Sequence, residues 1–239
     1  MKRTLITTVC AALLLCGCRI SEDNGFNPTE YGMKFAISTL SITYLMTDEV
    51  NIMRALDTCI TADEADSRFV ELADGVWKII GEDIDITVYT NGKSLRQPGT
   101  KWNFEFSADD RGTLENTTGN GGEQYTLHID YAGSVWGERH YCNSDLVFTY
   151  EPYGNTPSQF RIFVEGKGFN YSDYGDYSYL IMSPLRFDTA LNFFDKGLVS
   201  TTCTNDGITI SSEFEIDGKN LIVRGGKDNA CTSTYPLNY

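Results

Sequence analysis

The sequence predicts a mainly β fold, an antiparallel sandwich or barrel-like domain preceded by two or three N-terminal helices. Three observations carry that prediction. From Val76 onward, hydrophobicity repeats every second residue. Hairpin dipeptides punctuate the same region. Between residues 29 and 72 the apolar spacing is helical instead.

The helical segment has a start signal in Pro28-Thr29-Glu30 and no internal proline. Ile37, Leu40, Leu45, Met46, Val50, Met53 and Leu56 form its apolar stripes, which suit packing against a sheet. Thr47-Asp48 reads as a second N-cap. Thr61 and Glu64 have the spacing of a capping box. Two helices and a short third are therefore expected.

The strands follow by alternation. Ile84, Ile86 and Val88 form one apolar face, and Trp102, Phe104 and Phe106 form the next. Tyr125, Leu127 and Ile129 repeat the pattern, as do Leu146, Phe148 and Tyr150. Phe160, Ile162 and Val164 continue it, followed by Phe214 and Ile216. Such strands have one buried and one wetter face, the mark of antiparallel sheets. Asn91-Gly92, Asp206-Gly207 and Asp217-Gly218 are turn signals. The last of these joins Glu213–Asp217 to Asn220–Arg224 as a terminal hairpin. About ten strands are expected, with 108–123 and 166–176 as the longest loose segments. No interdomain linker is evident, so residues 29–239 are expected to form one globular domain, helical over 29–72 and β over 76–239.

The first residues have a different design. Met1-Lys2-Arg3 is basic, and an apolar stretch runs from Leu5 to Leu15. This is the layout of a secretory signal, too short to span a bilayer. It ends in Leu15-Cys16-Gly17-Cys18. These four residues resemble the lipobox of bacterial lipoproteins, with Cys16 where Ala or Ser is more usual. The resemblance implies residues 1–17 as signal peptide, cleavage before Cys18, diacylglycerol on the Cys18 thiol and an acylated amino terminus. Two or more acyl chains hold a protein stably on a membrane. Arg19 follows the cysteine, so the Asp of inner-membrane retention is absent. Outer-membrane attachment is the expectation, facing the periplasm or the surface. Polar residues 18–28 read as the lipidated cysteine and a flexible tether.

Removing Lys2 and Arg3 leaves 17 basic against 33 acidic side chains, a formal charge of −16. Such a surface repels nucleic acid and anionic headgroups, which excludes nucleic-acid binding and leaves attachment to the lipid. A neutral sugar, a cation or a protein fits that field. Beyond Cys18 stand Cys59, Cys142, Cys203 and Cys231. In an oxidising compartment they allow two disulfides in three pairings. Cys203 with Cys231 is the preferred one, tying the C-terminal tail to a strand, and free buried thiols are the equal alternative.

Candidate chemistry is sparse. His128 lies on the polar face of its strand, and His140 stands two residues before Cys142. No CxxC, HExxH, Walker, GxSxG or GxGxxG pattern accompanies them, so neither a cofactor nor a metal is implied. Glu213, Glu215 and Asp217 share one strand face. Glu215-Ile216-Asp217 resembles the EIDxxE strand of laminarinase-like glycosidases, but Asn220 stands where the downstream glutamate is needed. The tract from Gly168 to Tyr179 interleaves Tyr171, Tyr174, Tyr177 and Tyr179 with Asp173 and Asp176. Tyrosine faces stack on sugars and serve protein recognition, while Asp accepts hydrogen bonds from hydroxyls. Tyr171, Asp173, Tyr174 and Asp176 are the candidate ligand-binding residues for a glycan or protein, with Tyr177 and Tyr179 turned to the core. The sequence points to a non-enzymatic ligand-binding module. A hydrolase with dispersed carboxylates and an assembly subunit of the envelope are the other readings.

Overall fold

The computed structural model describes residues 27–81, 85–106, 111–120, 122–135, 138–152, 159–172, 175–205 and 208–237. The signal segment and Cys18 therefore lie outside the described residues, as do Asp173 and Tyr174. One helix, α1 (Pro28–Ala62), precedes thirteen antiparallel strands. These are β1 (Phe69–Ala73), β2 (Val76–Ile80), β3 (Asp85–Tyr89), β4 (Lys101–Glu105), β5 (Arg111–Asn116), β6 (Glu123–Val135) and β7 (Glu138–Pro152). There follow β8 (Phe160–Ser172), β9 (Gly175–Asp188), β10 (Phe193–Asn205), β11 (Ile208–Asp217), β12 (Asn220–Gly225) and β13 (Cys231–Pro236). They form a single sheet in chain order, each strand beside its sequence neighbours.

The helical region departs from the sequence expectation. Two or three helices were expected over 29–72, and one continuous helix of 35 residues is found. Asn27 caps it, its side chain accepting from the backbone N–H of Thr29 and Glu30 at 3.1 and 3.2 Å, with Pro28 in the first turn. Thr47 does not start a second helix. Its hydroxyl donates back to the Thr43 carbonyl at 2.8 Å, and Thr43 does the same to Thr39 at 2.7 Å. The Thr61 hydroxyl likewise returns to the Asp57 carbonyl at 2.7 Å, so Thr61 closes this helix instead of capping a new one, and Glu64 lies past its end. Asp63 ends the helix in the left-handed region at φ 54°. Residues 69–72, expected to be helical, belong to β1.

Alternation places the core. Trp102, Phe104, Leu127, Phe148, Ile162, Leu185, Phe214 and Val223 point to one face and are fully buried. Phe35, Ala36, Val50, Met53 and Leu56 of α1 join them in one cluster. Seventeen positions of α1 are buried, including Gly32, Thr39, Thr43 and Thr47. This many buried positions leaves only a narrow exposed strip, so the helix lies along the inner face of the sheet. At one end Pro28 abuts Gly225 on β12, where a Cβ would meet the Pro28 carbonyl at 2.7 Å. At the other end Asp57 bonds the loop before β4.

Candidate functional site

Asn51, Arg54 and Thr58 recur at helical spacing on one face near the C-terminal end of α1. They line a cleft of about 380 Å³ with Leu95, Arg96, Glu123, Tyr125, Phe160 and Thr189. The strand starts and turns at this end of the sheet form the opposite wall.

Arg54 is the centre of the arrangement. Its guanidinium carbon lies 3.9 Å from the Tyr150 ring centroid, 5.2 Å from that of Phe160 and 5.9 Å from that of Tyr125. Its Nε donates to Glu123 Oε1 at 2.8 Å, and its terminal nitrogen lies 2.7 Å from the same oxygen. Tyr125 donates to that oxygen too, at 2.7 Å. Tyr150 donates to Asn51 Oδ1 at 2.8 Å. Burial works against the Arg54 charge, but Tyr150 and Glu123 outweigh it and hold the guanidinium above its ordinary pKa. Burial, with the Glu123 bond second, pushes the Tyr125 hydroxyl up to about 12. Burial drives Tyr150 further up still. Both hydroxyls are therefore neutral hydrogen-bonding groups at physiological pH.

The second wall is built on Asp57, which is buried. Its Oδ1 accepts the Leu95 backbone N–H at 2.6 Å and its Oδ2 accepts the Ser94 hydroxyl at 3.2 Å. Arg96 lies over it, Nε to Oδ2 at 3.2 Å, and donates to the Thr58 hydroxyl at 2.8 Å. The Arg96 side chain is 60% exposed, against 2% for Asp57, so the cation is held by a buried anchor yet faces the cleft mouth. Asn116 Nδ2 donates to the Leu95 carbonyl at 2.7 Å, which fixes the loop from below. Two guanidinium groups and two carboxylates leave the cleft without formal net charge. It presents the half-buried Phe160 beside fixed polar groups, a lining that suits small polar ligands.

The residues singled out by sequence lie elsewhere. Tyr171 and Asp176 face each other across β8 and β9, and Asp176 is exposed. This pair is toward the opposite end of the sheet from the cleft. Register shows this: Gly168 pairs with Tyr179, Tyr179 with Thr201, Thr201 with Ser212 and Ser212 with Gly225, the residue beside Pro28. Tyr177 and Tyr179 are buried. Tyr177 stacks on Phe35 with centroids 4.5 Å apart.

Cys203 is buried and Cys231 half-buried, and both thiols are free. The expected pairing between them is corrected by the register. They sit on β10 and β13, three strand spacings or about 14 Å apart, twice the reach of a disulfide. His128 is exposed and bonds Asp145 at 2.6 Å. The side chains of His140 and Cys142 lie outside the described residues. Glu215 pairs with Arg224 at 2.6 Å and Glu213 accepts from Asn229 at 2.9 Å, so this acidic face is tied into its own hairpin. Among the described residues, no three His, Cys, Asp or Glu side chains could share a metal ion. Sequence reasoning missed Arg54, Glu123 and Arg96. The one available signal was Arg54, a permanent charge between the buried apolar positions Met53 and Leu56.

The chain matches no protein-family model, no curated protein and no solved structure.

Proposed function

We propose that the protein is a lipoprotein held on Cys18 at the outer membrane, whose barrel-like β domain, residues 29–239, binds a neutral glycan in the Arg54 cleft. The observation that carries this reading is the lining of that cleft. The half-buried Phe160 offers a ring for a sugar, and Glu123, Asn51 and Arg96 offer hydrogen-bonding groups held by their own partners. Charge balance within the cleft fits an uncharged ligand, and the −16 charge of the mature chain disfavours an anionic one. Among the described residues no helix is long and apolar enough to cross a membrane.

A glycan panel tests the reading. The protein is expected to retain at least one neutral oligosaccharide, and Arg96→Ala with Glu123→Gln to weaken that binding about tenfold or more. Tyr171→Ala, at the far end of the sheet, is expected to leave it unchanged. No glycan bound, or equal binding by the Arg96 and Glu123 variants, would sink the proposal.

A second reading, an assembly subunit, draws on the sheet edges. Among the described residues β1 pairs only with β2, and β13 only with β12. Uncovered edges can add a strand from another chain. Concentration-dependent oligomers in sedimentation velocity would favour this reading, and a monomer at all concentrations would dismiss it.

A further inference from the structure

The outer face of the sheet is mostly polar, as a wall turned to water should be. Ser178, Thr202 and Ser211 are exposed on it. Val70, Leu72 and Ile80 of β1 and β2 break that pattern, and so does a region of β8 and β9. Phe169 is 38% exposed, Leu180 47% and Met182 57%. Register makes them neighbours: Lys167 pairs with Leu180 and Phe169 with Ser178, so Phe169 and Leu180 lie on a cross-strand diagonal. Met182 is the extra residue of a bulge. Ser183 pairs with Leu198 and Ile181 with Val199, which leaves Met182 without a partner on β10. Alternation past the buried Tyr179 and Ile181 sets Met182 in solvent on the same face as Leu180.

We propose that Phe169, Leu180 and Met182 form a membrane-contact patch that rests on the neutral lipid interface to which Cys18 anchors the chain. This rests on the lipoprotein reading above. The argument for a lipid surface comes from where the chain leaves the fold. Nine Cα-to-Cα steps separate Cys18 from Asn27, and fully extended they reach about 30 Å. The helix they lead into starts beside Gly225 on β12. Gly225 stands at the height of Tyr179 through Ser212 and Thr201, so Leu180 is one residue from that height. From β12 to β9 is three strand spacings, about 14 Å across the sheet. The bilayer that holds Cys18 is thus within reach of the patch.

The charges around the patch set the kind of lipid. Lys167, Asp145 and Glu165 are all exposed beside it, and the mature chain is strongly acidic. Contact is therefore expected with zwitterionic headgroups, not anionic ones. The cleft lies toward the other end of α1. Arg54 is 26 residues from Pro28, about 39 Å along the helix, so contact at the patch leaves the cleft open.

Tryptophan quenching by lipid tests this on the lipidated full chain. Leu180→Trp, Met182→Trp and, as control, Lys101→Trp on the exposed face of β4 are each incorporated into phosphatidylcholine vesicles. Half of the vesicles contain lipid brominated on the acyl chains. After subtraction of the native tryptophans, emission at positions 180 and 182 is expected to fall at least twofold with bromine, and that at 101 to stay unchanged. Positions 180 and 182 quenched no more than 101 would overturn the patch. Flotation of the wild-type protein with the same vesicles separates the two claims. Flotation without quenching removes only the patch, whereas protein that does not float removes the anchor and the patch with it.

Discussion

On α1 the Oε2 of Glu49 is sealed from solvent with no hydrogen-bond partner, although the residue as a whole is half-buried. Burial, with Asp48 beside it, pushes this carboxyl up to about 8 from an ordinary 4.5. The native state therefore holds a proton that the unfolded chain releases between those values. Its stabilising contribution is complete below pH 4.5 and is lost as pH rises toward and through 8. Glu49→Gln is expected to flatten that fall and to stabilise the protein above pH 8 by on the order of 5 kcal/mol at most. Thermal melts at pH 5 and pH 8.5 check it, and an unchanged pH slope in the variant would remove Glu49 as the cause. A satisfied polar group stands at Tyr177. Its hydroxyl meets the Thr39 hydroxyl at 2.9 Å, accepts from Asn170 Nδ2 at 2.9 Å and lies 3.3 Å from the Phe35 carbonyl. Tyr177→Phe leaves these buried partners short of a bond, and denaturant unfolding should show a loss of about 1–3 kcal/mol. Single residues were only partly legible in the sequence. Alternation turned Tyr177 and Tyr179 inward correctly, but a threonine such as Thr47 caps a helix or bonds back within one, and local sequence does not choose between them.

At the scale of elements, the segment 166–176 shows what composition conceals. Its glycines, serine and aspartates read as a loose loop, yet Gly166 through Ser172 complete β8 and Gly175 opens β9. The glycines are there for close packing. A Cβ at Gly168 would stand 2.7 Å from the Tyr179 ring and 2.5 Å from Ser144 Oγ. Gly166 has φ +134°, and a Cβ there would meet the Asp145 carbonyl oxygen at 2.1 Å. Gly166→Ala is accordingly expected to cost about 2 kcal/mol or more by strain and backbone displacement, measured as a lowered unfolding midpoint. An unshifted midpoint would mean that β8 relaxes at no cost. The helix was misread for a related reason. A helix buried on most of its faces has no single clean stripe, so the apolar spacing of 29–72 reads as two or three shorter pieces. Strand β1, five residues long and mostly exposed, has no alternating apolar face to announce it.

At the scale of the molecule, the mainly β antiparallel class was legible because one face of most strands is buried in a common core. The order of the sheet follows from chain order, since hairpin turns leave each strand beside the last. The cleft was not legible. Its lining runs from Asn51 to Thr189, brought together only when α1 crosses the sheet toward the starts of β6 and β8. No motif spacing encodes that meeting. The proposed attachment is the reverse case: it rests on the resemblance of Leu15-Cys16-Gly17-Cys18 to a lipobox and on no part of the fold. If the chain is cut before Cys18 as proposed, its charge of −16 gives no electrostatic hold on an anionic membrane, and the proposed location rests on that one thiol. The direct measurement is fractionation of cells grown with a labelled fatty acid, comparing the wild-type chain with Cys18→Ala. The wild-type protein is expected to carry the label and sediment with the outer membrane. Cys18→Ala is expected to lose the label and leave the outer-membrane fraction. An unlabelled wild-type protein, or a Cys18→Ala chain that stays with the outer membrane, would contradict the account.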